Sequence, residues 1–211
     1  MGRVLQRMRN HPVGILLADL KRFASKERRR VLGHERRVWS QKPRRRQVGN
    51  VLLCYNSRAF FLKRGTAIPH DHTSPWESWQ IATTFLQKGF GVDVIDEEND
   101  MFVPTREYQV FVGNRINFVR IARLLNADCV KILHIDSSHW MFHNMAEYRR
   151  IEALRARRGI CLPAQRTMNP NLAIEHADYA IALGNEATIS TYRYAQKPIF
   201  RVPISAPTIY D

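Results

Sequence analysis

At 211 residues with 45% apolar side chains, the chain has enough material for one substantial core plus an appendage, which excludes wholesale disorder. The formal charge of +14 sits almost entirely in residues 1–47, with 15 Lys and Arg against 3 Asp and Glu; the rest holds 18 against 16. A near-neutral body argues against nucleic acid as the partner of the folded part, since such a domain needs a basic face.

Residues 1–47 read as a basic amphipathic helical arm and linker. Val13, Leu16, Leu17, Leu20, Phe23 and Ala24 share one helical face, and Lys21, Arg22, Lys26, Arg28 and Arg29 supply the rest. Such an arm either lies on an anionic membrane surface, where each nearby Lys or Arg adds about 1 kcal/mol, or packs its stripe on the body. Its longest apolar run, residues 13–18, is too short to cross a bilayer, and no small-residue cleavage site follows it. Cys54, Cys129 and Cys161 form no CxxC pair and no disulfide framework. Together these features suggest a cytoplasmic protein, attached at most to the periphery of the inner membrane face. Residues 41–47, with Pro43 and three arginines, read as the linker.

From residue 48 the chain follows a different grammar. NVLLCYN (50–56) is a strand, followed by a long polar loop. A helix then carries Trp76, Trp79, Ile81, Ala82, Phe85 and Leu86, with Ser74 as its cap, Pro75 in its first turn and Gly89 closing it. GVDVID (91–96) is the next strand, completing a βαβ unit and so a right-handed, parallel crossover. The acidic run 96–100 reads as a solvated loop. Further strands are expected at 108–113, 129–136, 160–163, 179–184 and 199–205. Helices are expected from Asn114 to Leu125, from 139 to 158 with Gly159 ending it, at 169–177 and at 186–195. The alternation predicts an α/β, Rossmann-like, doubly wound parallel sheet with helices on both faces, residues 48–211, preceded by the basic arm.

In such sheets ligands bind outside the carboxyl ends of the strands. That rule selects the loop 57–73, the acidic run 96–100, Asn114 and Arg115, residues 136–139, residues 184–186, and Ser205. The loop brings Arg58, Arg64, Gly65, His70 and His72, which suit an anionic or sugar-like ligand, and Asn114, Asn185 and Glu186 complete the expected substrate contacts. No GxGxxG, GxxxxGK[ST] or GxSxG occurs, which argues against a bound dinucleotide, a P-loop nucleotide and a hydrolase nucleophile elbow. HIDSSHWMFH places His134, Asp136, His139 and His143 close in sequence. They are either metal ligands or strand-end and helix-start residues, and no metal site is expected because nothing in the spacing makes strand and helix converge.

LLCYN, HDHTSPWESWQIA, VDVID, ILHIDSSHW, the long helix ending RRG, IEHADYAIALGN and PIFRVPIS together resemble the acceptor-side domain of GT-B fold glycosyltransferases of the family 1 or family 4 kind. The resemblance covers residue 50 onward. It implies transfer of a sugar from a nucleotide-sugar co-substrate to a glycan or glycolipid hydroxyl, with no cofactor and no metal. It also implies a catalytic histidine near the fourth strand's end, where His139 matches best and His134 second, with Asp136 between them. The family's acidic donor-binding motif belongs to a second domain and has no counterpart here. The expectation is therefore half an enzyme, inactive alone, whose donor domain is missing or on a separate polypeptide. The alternatives are a noncatalytic membrane-associated module on the same scaffold, and a nucleic-acid-binding protein that uses its arginine-rich arm.

Overall fold

Val51, Leu52, Leu53 and Cys54 are all completely buried, so the strand that carries them is covered on both faces and needs no polar alternation. The computed structural model describes residues 36–69 and 71–204. The apolar stripe of residues 13–24, His70 and Ser205 lie outside that range. Among the described residues the strands are β1 (Val38–Gln41), β2 (Gly49–Tyr55), β3 (Phe90–Asp96), β4 (Val110–Gly113), β5 (Val130–Ile135), β6 (Tyr179–Leu183) and β7 (Ile199–Val202). The helices are α1 (Ser74–Gln87), α2 (Phe118–Leu124), α3 (Trp140–Arg158) and α4 (Glu186–Ser190), with short 3-10 turns at Arg58–Phe61, Ile174–His176 and Arg193–Ala195.

The sheet order is β1-β3-β2-β4-β5-β6-β7. β2 is the hub, with Leu53 opposite Val94 on one side and Val112 on the other. Every pair is parallel except β1 with β3. The two faces of β2 divide the core. Val51, Leu53 and Tyr55 pack with Ala82 and the half-buried Trp79 and Phe85 of α1, while Leu52 and Cys54 pack with Phe111, Phe118 and Ile121 on the α2 side. This is the α/β, mostly parallel, Rossmann-like sheet that the alternation predicts.

Several expectations need correction. The sheet begins at Val38, inside the stretch read as arm and linker, because β1 pairs antiparallel with β3 and Trp39 lays its ring 4.8 Å from that of Phe60. Ser74 does not cap α1. The His72 imidazole does so, its Nδ1 accepting the Ser74 N–H at 3.1 Å, while the Ser74 hydroxyl accepts from Asn56 Nδ2 at 3.2 Å. α2 starts after Asn117 rather than at Asn114, whose side-chain oxygen instead accepts the Ile116 N–H at 3.1 Å and folds the loop. Residues 160–163 form no strand, since β5 pairs directly with β6 and Ile160 and Leu162 stay exposed. The helix expected at 169–177 shrinks to a 3-10 turn. The one expected at 186–195 divides into α4 and another turn, and β7 stops at Val202, before Pro203, which has no N–H for a ladder. Gly89 and Gly159 end α1 and α3 with φ of 91° and 64°, as their positions predict.

α3 is attached by polar contacts. Glu147 is its only buried residue. Its Oε1 accepts the N–H groups of Gln165 and Arg166 at 3.2 and 3.3 Å, and Arg150 donates to Oε2. Asn144 exchanges two hydrogen bonds with the Met168 backbone, and His143 Nε2–H donates to the Arg166 carbonyl at 2.6 Å.

Candidate functional site

The chain leaves β2 for β3 on one side, then returns across the sheet to β4 on the other. The loops after β2 and β4 therefore part from one another, and a crevice opens at their carboxyl ends. A cavity of about 720 Å³ lies there. Tyr55 and Asn56 reach it from the end of β2, and Ser74 and Glu77 from the first turn of α1. Glu97 follows β3, Asn114 and Arg115 follow β4, and Asp136 follows β5; Gly184 and Thr188 close the far wall.

Glu97 has the most distinctive environment. Asn114, itself 2% exposed, donates its Nδ2–H to Glu97 Oε2. Burial, joined by the charges of Asp96, Asp136 and Glu98, outweighs that bond and pushes the Glu97 carboxyl up to about 7. Asp96 turns the other way and accepts from the Ser57 hydroxyl at 2.8 Å, which leaves Glu97 to face the cavity. Asp136 is ion-paired to Arg115. Tyr55 donates its hydroxyl to Glu77 Oε2 at 2.9 Å, and burial, with the Glu77 charge added, holds that phenol well above its ordinary range. His134 lies against Tyr55 with ring centroids 4.8 Å apart. Burial lowers its pKa, and its Nδ1 has no hydrogen-bond partner among the described residues.

Of the residues expected from sequence, His72, Asn114 and Asp136 line the cavity, and Arg115 stands beside them. Arg58 turns out to an exposed ion pair with Asp71 at 2.6 Å, and Gly65, φ 84°, lies with Arg64 in an exposed turn. Glu186 is exposed and paired with Arg193. Asn185 caps α4, accepting the Thr188 N–H at 3.1 Å. His134 is 4% exposed and stands behind Tyr55. His139 is 5% exposed and lies off the cavity wall. Its ring packs edge-on against Tyr192 and Tyr194, its Nε2–H donates to the Tyr194 hydroxyl at 3.2 Å, and burial lowers its pKa. Its position at the helix start thus serves packing: its backbone N–H donates to Thr191 Oγ1 at 2.9 Å, and Tyr194 in turn donates to Glu175 at 2.7 Å.

The sequence reading missed Tyr55, Glu77 and Glu97. Glu97 was within reach, because the strand-end rule selected its loop, but an acidic run resembles a solvated face. Glu77 looked like an ordinary helical glutamate, and only the tertiary fold brings its carboxylate to the Tyr55 hydroxyl. Among the described residues no group of three or more His, Cys, Asp or Glu is arranged to hold a metal ion. His143 is engaged with the Arg166 carbonyl. Comparison of the chain with protein-family models, curated proteins and solved structures finds no match in any of the three.

Proposed function

We propose that residues 38–204 are the acceptor-side domain of a GT-B fold glycosyltransferase, holding a glycan or glycolipid hydroxyl for attack on a nucleotide-activated sugar. The reading rests on the resemblance of residue 50 onward to families 1 and 4. The observation that supports it best is the cavity at the strand-order reversal. Its polar lining is mostly amide, hydroxyl and carboxylate groups, the set that pairs with sugar hydroxyls, with the His72 imidazole and the Arg115 guanidinium beside them, and includes one carboxyl held near neutrality. A base whose pKa lies near the working pH is the effective kind. In this reading Glu97 takes the proton of the acceptor hydroxyl as its oxygen bonds to the donor's anomeric carbon. The carbon–oxygen bond to the diphosphate breaks, and the nucleoside diphosphate departs with the electron pair. Asn114 aims Glu97, while His72 and Asp136 hold neighbouring hydroxyls.

The departing diphosphate needs cationic or N–H donors. Arg115, already paired with Asp136, is the one guanidinium among the described lining residues. In the resembling families that charge is met by a second domain. Saturation-transfer NMR on the 211-residue chain tests the assignment. Mono- and disaccharides are expected to receive magnetisation, and Asn114→Ala to weaken the effect. Uridine diphosphate binding more tightly than any sugar would overturn the acceptor-side role.

A further inference from the structure

A groove of about 650 Å³ runs where β1 and the chain after it face α1, and it shares no described lining residue with the cavity at the carboxyl ends. It is a separate place on the molecule. Trp79, Thr83 and Leu86 enter it from α1, four and three residues apart and so on one helical face, while Trp39 and the half-buried Pro43 complete a mostly apolar floor. Lys42, Arg44 and Arg45 stand exposed on its rim, and no described carboxylate lines it. Residues 42–46 hold four Lys and Arg with no Asp or Glu, and none of the four forms an ion pair among the described residues. β1 supplies a second observation: it ends the strand order and pairs with β3 alone, so its outer row of N–H and C=O groups meets no strand among the described residues. An open edge is a template for another strand. A strand laid along it puts every second side chain on the face of Trp39 and Gln41, which both line the groove.

We propose that this groove binds an acidic segment of a partner protein, in extended conformation, as a strand added to β1. Apolar side chains of the segment lie over Trp39, Pro43 and Leu86, its backbone bonds to the outer edge of β1, and its carboxylates meet Lys42, Arg44 and Arg45. Main-chain bonds supply affinity, while the floor and the charge supply selection. The same features disfavour other anionic partners. A bilayer is flat and does not reach indoles that lie half-buried in a groove. Nucleobases stack on aromatic faces left open, whereas Trp39 and Trp79 tilt by 53° to one another and both pack on Phe60, with ring centroids 4.8 and 5.3 Å away. Neither ligand uses a strand edge. The proposal is independent of the glycosyltransferase reading, and either can fall without the other.

Fluorescence anisotropy of the labelled peptide Glu-Glu-Leu-Thr-Leu-Glu-Glu, titrated with the 211-residue chain, provides the test. Its order reads the same in both directions, so either strand orientation is served. Three altered peptides separate the contributions: lysine in place of glutamate, serine in place of leucine, and N-methyl groups on the three central residues, which remove backbone donors. The parent peptide is expected to bind, and each altered form to bind about tenfold more weakly. Because residues 1–35 are also basic, the protein is varied as well. Arg44→Glu combined with Arg45→Glu, and separately Thr83→Glu on the α1 side of the groove, should keep the parent's thermal melt and weaken the parent peptide about tenfold. Undiminished binding by both protein variants would place the peptide elsewhere and overturn the proposal. So would equal binding of any altered peptide, or no binding of the parent peptide. Oligouridylate or phosphatidylserine vesicles that bind more tightly than the peptide, and lose that binding when Arg44 and Arg45 are reversed, would overturn it in favour of nucleic acid or lipid.

Discussion

Glu97 is the side chain at which pH should be felt first. Its carboxyl titrates near 7 in the fold against an ordinary 4.5, so the folded state binds its proton more tightly than the unfolded chain does. The sign follows from linkage. The stabilisation is full below the ordinary value and is lost as pH rises through about 7, because ionising Glu97 costs more in the fold than outside it. Melting temperatures measured from pH 4 to 9 should therefore show the parent losing ground to Glu97→Gln between about pH 5 and 8, with a constant gap above. Parallel curves for the two proteins would show that the site leaves this carboxyl unperturbed. His139 illustrates the opposite case. The position that the resemblance assigns to chemistry is filled by a ring held among Tyr192, Tyr194 and Trp140, so its loss should unsettle the start of α3.

At the scale of elements, α3 stands out because its attachment is polar. Glu147 carries two backbone N–H groups of the segment that follows the helix, and those bonds hold its carboxyl below the usual range, with Arg150 adding to the effect. Glu147→Ala should free residues 159–168 while leaving the sheet intact. Limited trypsin digestion should then cut after Arg158 and Arg166 several-fold faster, with little change in the global melting temperature. Unchanged cleavage would mean that Asn144 and His143 suffice. The same elements explain which parts of the fold are legible in the sequence. β2 announces itself because both faces are buried and its apolar run is unbroken, and β3 does so although Asp93 interrupts it, buried and bonded to Arg106 and the Tyr108 hydroxyl. β1 does not, because it is a four-residue edge strand among arginines with one half-buried side chain, Trp39, and its pairing with β3 is a tertiary event. The strand expected at 160–163 is the converse error: an apolar run for which the sheet has no vacancy.

On the scale of the whole molecule, the basic excess and the cavity lining belong to different stretches of the sequence. The excess of Lys and Arg lies in residues 1–47, while the cavity is rich in carboxylates. No helix among the described residues is long and apolar enough to cross a membrane. The sequence stripe from Val13 to Phe23 predicts flotation of the chain with vesicles containing phosphatidylserine, and Leu16→Glu with Leu20→Glu should abolish it. Flotation by the double variant equal to that of the parent would move attachment elsewhere. The cavity's place was legible in the sequence, since the strand-end rule depends only on topology. Its chemistry was less so, because Tyr55, Glu77 and Glu97 become neighbours only when α1 and the loop after β3 converge on β2.

The central place of β2 also bears on how the protein comes into being. Synthesis runs from the N-terminus, so the strand buried most completely in the finished sheet is made before both of its parallel partners, β3 and β4. Until β3 and β4 emerge, the run Val-Leu-Leu-Cys-Tyr has two open edges, and the face that α2 covers stays bare longer still. A short, uncharged segment of high strand propensity in that condition is a template for pairing with other chains. The nascent polypeptide, more than the completed domain, is thus the form most exposed to aggregation.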